Sequence, residues 1–285
     1  MHLAAAAPSV QTLFALIAPD LVNSSHGNKS WHKITLHSED ESAIKFLLGS
    51  IISIDIISCA SIRSSHFLEL DHKIILESTG IYLENFTGCR NWAIVFIFEI
   101  SQLDRWKRRA ENNHQLSVTE LAKRGSQIKA SIEERLVTMG ENSMGTSLNS
   151  SPGALSASTH IQITRIFAFA AMTYLHVVVS GAYPELPEIR ESVSRTAGEF
   201  QNLTDAKLLQ HLVWPFCISG CLALESHYAI FRNLVSAAEL TQSNIGTLLE
   251  ASKVIEECWE ARKTNRGHCD WVSIMKRRGQ CVLLW

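Results

Sequence analysis

Seven cysteines and twelve histidines hold most of the reactive potential of this 285-residue chain. The cysteines, at 59, 89, 217, 221, 258, 269 and 281, are dispersed and odd in number, unlike the dense even sets of a disulfide scaffold. They read as reduced intracellular thiols in a core. Cys217 and Cys221, at i and i+4, share one helix face. A zinc site needs two more ligands, and His211, His268 and Cys269 follow no zinc spacing. A reactive thiol wants an electropositive, partly exposed setting, and "WPFCISGCLAL" is the reverse. His176 and His211 lie in apolar stretches with no partnered acid or nucleophile in view, so general acid–base work is not indicated. His176, His211, Cys217 and Cys221 are instead candidate polar residues of an effector pocket. No phosphate loop, nucleophile elbow or H-E-x-x-H pattern occurs. The expectation is a chain with no catalytic residues, no metal ligands and no cofactor of its own.

Two short basic runs could contact phosphate or serve nuclear import. One is Arg105, Lys107, Arg108 and Arg109 around Trp106; the other is Lys276, Arg277 and Arg278. Each also fits a solvated helix end, where positive charge complements the macrodipole. With 26 Lys+Arg against 28 Asp+Glu the net charge is −2, which is not the balance of a dedicated nucleic-acid binder. A hydrophobic share of 46% with 19% charged residues excludes a disordered chain.

The elements that must position these residues read as helices. Ser38 and Glu41 predict a capping box ahead of an apolar run through Ile54, and Ser117 and Glu120 predict a second. Trp92, Val95, Phe96, Ile100, Leu103 and Trp106 keep a 3.6-residue rhythm, as do Leu121, Ile128, Ile132, Leu136 and Met139. Further helices are predicted over Ile161–Val179 with Gly181 as stop, after Pro187, after Asp205, from Ile245 to Trp259, and from Asp270 to Gly279. Pro215 is expected to kink or end the helix begun at Asp205. "HVVVS" has strand composition, but its helical neighbours outweigh it. Ile166–Pro184 and Leu208–Leu224 carry no formal charge, and both are expected as buried core helices rather than membrane spans. Trp214 is expected to be buried. Residues 140–158, rich in Ser and Gly, predict an exposed loop. "MHLAAAAPSVQTLFALIAP" lacks the basic start and residue order of a secretory signal. The fold class is all-α, a multi-helix array of packed, largely buried helices.

Four segments then carry a resemblance: "GCRNWAIVFIFEISQL" (Gly88–Leu103), "TYLHVVVSG" (Thr173–Gly181), "LVWPFCISGCLALE" (Leu212–Glu225), and "VIEECWEARK" (Val254–Lys263) followed by "DWVSIM". In this order and spacing they resemble the fungal-specific transcription factor domain, the helical regulatory region C-terminal to the zinc cluster of fungal zinc-cluster transcription factors. The resemblance places that domain at 38–285 and leaves 1–37 as a divergent N-terminal segment. It implies a nuclear protein in transcriptional regulation. Its implied partners are the transcription machinery or a second copy, with a possible small-molecule effector and no membrane.

The zinc cluster of the family opens with C-x-x-C, which occurs nowhere here. Zinc is therefore expected only from an N-terminal cluster that these residues lack, and sequence-specific DNA binding is not expected of this chain. A truncated gene product or shortened paralogue would fit. The competing reading is a helical small-molecule-binding protein or enzyme of unrecognised class. Convergent titratable groups around an enclosed pocket would favour chemistry; an apolar pocket with one or two polar anchors would favour an effector site.

Overall fold

The computed structural model describes residues 37–65, 67–68, 70–142, 155–203, 205–241, 245–264, 270–279 and 284. Among these there are helices and no strand. The expectations for the N-terminal segment, and for Cys269 and Cys281, lie outside the described residues.

Helix α1 (Ser38–Ile62) is apolar on nearly every side and ends at Arg63, in the left-handed region. The predicted Ser38–Glu41 box is not formed: His37 is the N-cap and makes no side-chain cap bond. Glu41 pairs with Lys45 at 2.7 Å. Three acidic residues in the first turn already complement the macrodipole, so the start does not depend on a hydroxyl cap. Asp71 caps α2 (His72–Ser78), and the single turn α3 (Glu84–Thr87) ends on Gly88.

Helix α4 (Asn91–Asn112) buries Ala93 to Phe98, Ile100 and Leu103, as its rhythm predicts. Before α5 (Val118–Asn142), the Ser117 hydroxyl accepts from the Glu120 N–H at 3.2 Å. Glu120 itself turns to Arg124, so half of the second box forms. Helix α6 (Ala157–Ser180) starts on Ser156 and stops at Gly181, with "HVVVS" inside it. The predicted 140–158 loop is therefore shorter at both ends, and residues 143–154 lie outside the described ones.

Pro187 opens α7 (Pro187–Gln201). Asp205 caps a 3-10 helix, Ala206–His211, by accepting from the Lys207 N–H. The chain then breaks at Leu212, ahead of Pro215, and starts α8 (Val213–Cys221). Pro215 thus sits in a first turn, where its missing N–H costs nothing; it follows the break rather than making it. Helices α9 (Glu225–Thr241), α10 (Gly246–Lys263) and α11 (Trp271–Arg278) complete the array. Asp270 and Ser273 cap α11 reciprocally, and Gly279 ends it.

Helix α6 is the hub, packed against α4, α5, α7 and α8, while α1 packs on α4 and α11, and α8 on α10. The buried apolar residues form one continuous core. By length and composition α1 and α6 could each cross a membrane, but 78% of the apolar window of α6 is buried by its neighbours. That is the position of a core helix.

Candidate functional site

A cavity of about 320 Å³ is lined by residues of α1 and α10, among other elements. Its floor is buried and mainly apolar: Ile57 from α1, Ile94 from α4, Phe167 from α6, Val213 from α8 and Leu248 from α10, with the buried Ser53 of α1, whose hydroxyl donates to the Ser50 carbonyl at 3.0 Å. Its rim carries Thr87, Gln210, His211 and Thr247, of which Gln210 and Thr247 are exposed. The Gln210 and His211 Nε2 atoms lie 3.2 Å apart. Burial lowers the pKa of His211 from its ordinary value, so the ring is neutral near pH 7. Among the described residues no Asp, Glu, Lys or Arg lines the cavity.

Of the four candidate effector-pocket residues, the structure brings His211 alone to this cavity. His176 sits on α6 beside Lys129 of α5 and Glu188 and Glu191 of α7, and burial lowers its pKa. Cys217 and Cys221 are fully buried in α8, which packs on α10, where Cys258 lies. Burial, then hydrogen bonding with Cys217, pushes the Cys221 thiol well up. The reason is helical phase: α8 is buried along its whole length, so its i, i+4 face meets another helix instead of open space. All five described cysteines are buried. Among the described residues no group of three His, Cys, Asp or Glu is placed to hold a metal ion.

The basic runs are partly spent on the fold. Lys107 donates to the Val178 carbonyl at 2.8 Å, and Arg108 pairs with the buried Asp104 at 2.8 Å. Arg278 bridges Glu250 and Glu257 at 2.9 and 2.8 Å. Arg105 lies half-buried on α4, Arg109 is exposed in its last turn, and Lys276 and Arg277 are exposed on α11. Neither run presents all its cations to one phosphate backbone.

Sequence reading missed the polar interior of the array. Asp55, fully buried in α1, accepts from the Phe67 N–H at 2.9 Å and meets His72 Nε2 at 2.7 Å. Its neighbour Cys59 is held as a thiol, since burial and then the Asp55 carboxylate push its pKa up to about 12. A signal existed: Asp55 is the sole charge between Lys45 and Arg63. Asp104, also fully buried, is gripped by Arg63 at 2.6 and 3.0 Å. These groups fasten helices and do not line the cavity.

Comparison with known proteins finds relatives named as transcription regulators. The family model for the fungal specific transcription factor domain matches residues 10–285, beginning upstream of residue 38. The trichothecene biosynthesis transcription regulator TRI10 of Fusarium sporotrichioides is 33% identical over 245 residues, covering 85% of this chain and 55% of that protein. The transcription factor ntnD of a Nectria species is 34% identical over 260 residues, covering 88% of this chain and 42% of that one. The TRI10 regulator of Trichoderma arundinaceum is 32% identical over 267 residues, covering 92% and 59%. The chain thus spans about half the length of the curated relatives it matches. No solved structure matches it. With the family model matching most of its length, the chain belongs to the fungal-specific transcription factor domain family.

Proposed function

We propose that this chain is the regulatory part of a fungal transcription regulator. It acts in the nucleus by association, with the transcription machinery or a second copy of itself, while bases are read by a module other than these residues. It performs no chemistry of its own and holds no cofactor. The supporting observation is the family match over residues 10–285, together with relatives named as transcription regulators. The alternative is a helical small-molecule-binding protein or enzyme; its enzyme form would draw support from titratable groups converging on the cavity, and among the described lining residues His211 is the one such group.

The reading is tested by tethering the chain to an unrelated DNA-binding module upstream of a reporter in a fungal host. The tethered chain is expected to change reporter output several-fold relative to the module alone. Unchanged output, with nuclear, folded fusion present at equal abundance, contradicts the reading.

A further inference from the structure

We infer that the cavity between α1 and α10 is a binding site for an uncharged, mainly apolar small molecule carrying a hydrogen-bonding group at one end. The role of that ligand as an effector rests on the regulatory reading; its binding does not.

The chemistry of the lining selects the class. At about 320 Å³ the cavity lies at the small end of the range that holds organic ligands. The floor side chains Ile57, Ile94, Phe167, Val213 and Leu248 offer carbon surface to a ligand body. A carboxylate, phosphate or ammonium placed there would lose its hydration with no countercharge among the described lining residues, which include no Asp, Glu, Lys or Arg. Apart from Ser53, whose buried hydroxyl donates to the Ser50 carbonyl at 3.0 Å, the polar side chains of the described lining belong to the rim. Gln210, His211, Thr247 and Thr87 ring the opening with amide, imidazole and hydroxyl groups. They offer both donors and acceptors, so they suit a carbonyl, ether or hydroxyl left at the rim while the body enters.

The position of the cavity supplies a way for binding to matter. Its walls come from α1, α4, α6, α8 and α10, elements far apart in the chain. A ligand touching all of them closes contacts the protein otherwise makes only through its core, so it stabilises the array by mass action.

The test uses a matched pair of probes on the purified full chain. N-phenyl-1-naphthylamine is neutral and brightens in apolar surroundings; 1-anilinonaphthalene-8-sulfonate has the same rings with an added negative charge. The neutral probe is expected to bind saturably at one site per chain, raise the melting temperature and bind at least tenfold tighter than the sulfonate. Thr247→Trp and Gln210→Trp fill the rim from two exposed positions; each is expected to weaken the neutral probe at least tenfold with thermal unfolding otherwise unchanged. Val118→Trp, on the exposed start of α5, should leave binding as it is. The inference is overturned by non-saturable binding of the neutral probe, by equal affinity for the sulfonate, or by undiminished binding in whichever rim variant is folded. Probe binding by a chain that is silent in the tethered reporter would keep the site and remove the regulatory reading. An active reporter with no probe binding would do the reverse.

Discussion

Gly220 and Ile255 meet across the seam between α8 and α10, and the space between them holds hydrogen and nothing larger. A Cβ at Gly220 would stand 2.5 Å from Ile255 Cδ1, well inside contact distance. On the same seam the Trp259 indole N–H donates to the Gly220 carbonyl at 2.8 Å. Both are helical residues of ordinary conformation, so the glycine is there for closeness, not for a turn. Gly220→Ala is expected to destabilise the chain by about 1–3 kcal/mol through overpacking. Ile255→Val removes the offending methyl, so the double variant should lose clearly less than the sum of the two singles. Denaturant unfolding of all four proteins measures this, and strict additivity would mean the seam opens elsewhere. Gly88 answers a different demand. Its φ is +76° and a Cβ would meet Ile163 at 2.5 Å, so both conformation and space exclude a side chain. Sequence patterns marked both glycines without saying which reason applied, because spacing records that a residue is small and not what it faces. Trp214 is 1% exposed, in keeping with its place in an apolar run.

Helices were legible wherever one face had to be apolar. The rhythms of α4, α5, α7 and α10, the stops at Gly181 and Gly279, and the caps at Asp205 and Asp270 all stand where spacing puts them. Side-chain caps were less legible, since Glu41 and Glu120 each had a cation four residues on that competed for the carboxylate. The partners in polar links between helices were not legible, because they lie far apart in the chain; only the isolated charge of Asp55 gave a signal. Asp104 is the leading example. Its carboxylate takes Arg63 from the end of α1 and Arg108 from its own helix, and Arg63 also reaches Asp270, the cap of α11, at 3.6 Å. Three elements converge on one buried anion. Asp104→Ala takes the near carboxylate from both guanidinium groups and is expected to cost about 2–4 kcal/mol, below the full value of a buried pair because Arg63 keeps Asp270 and Arg108 keeps access to water. A loss under about 0.5 kcal/mol in a denaturant titration would show that water replaces the carboxylate freely.

At the scale of the whole molecule, one continuous core takes up nearly every long apolar run, and the hub helix α6 is the more enclosed of the two that could span a membrane. The cavity was only partly legible. Of the four residues named as effector-pocket candidates His211 lines it, while Gln210 and Thr247 carried no pattern that distinguished them from surface residues. The basic runs fitted an import or phosphate-contact patch or a solvated helix end in sequence, and Lys107, Arg108 and Arg278 are engaged within the array.

The claim most exposed to contradiction is that regulation by this chain does not pass through base reading by these residues. Titration of the purified chain against duplex DNA over a range of salt measures it directly. The expected result is weak binding, indifferent to sequence, that collapses as salt is raised through the physiological range. Tight, sequence-selective binding that survives that salt, in the range of about 10⁻⁸ M or better, would contradict it.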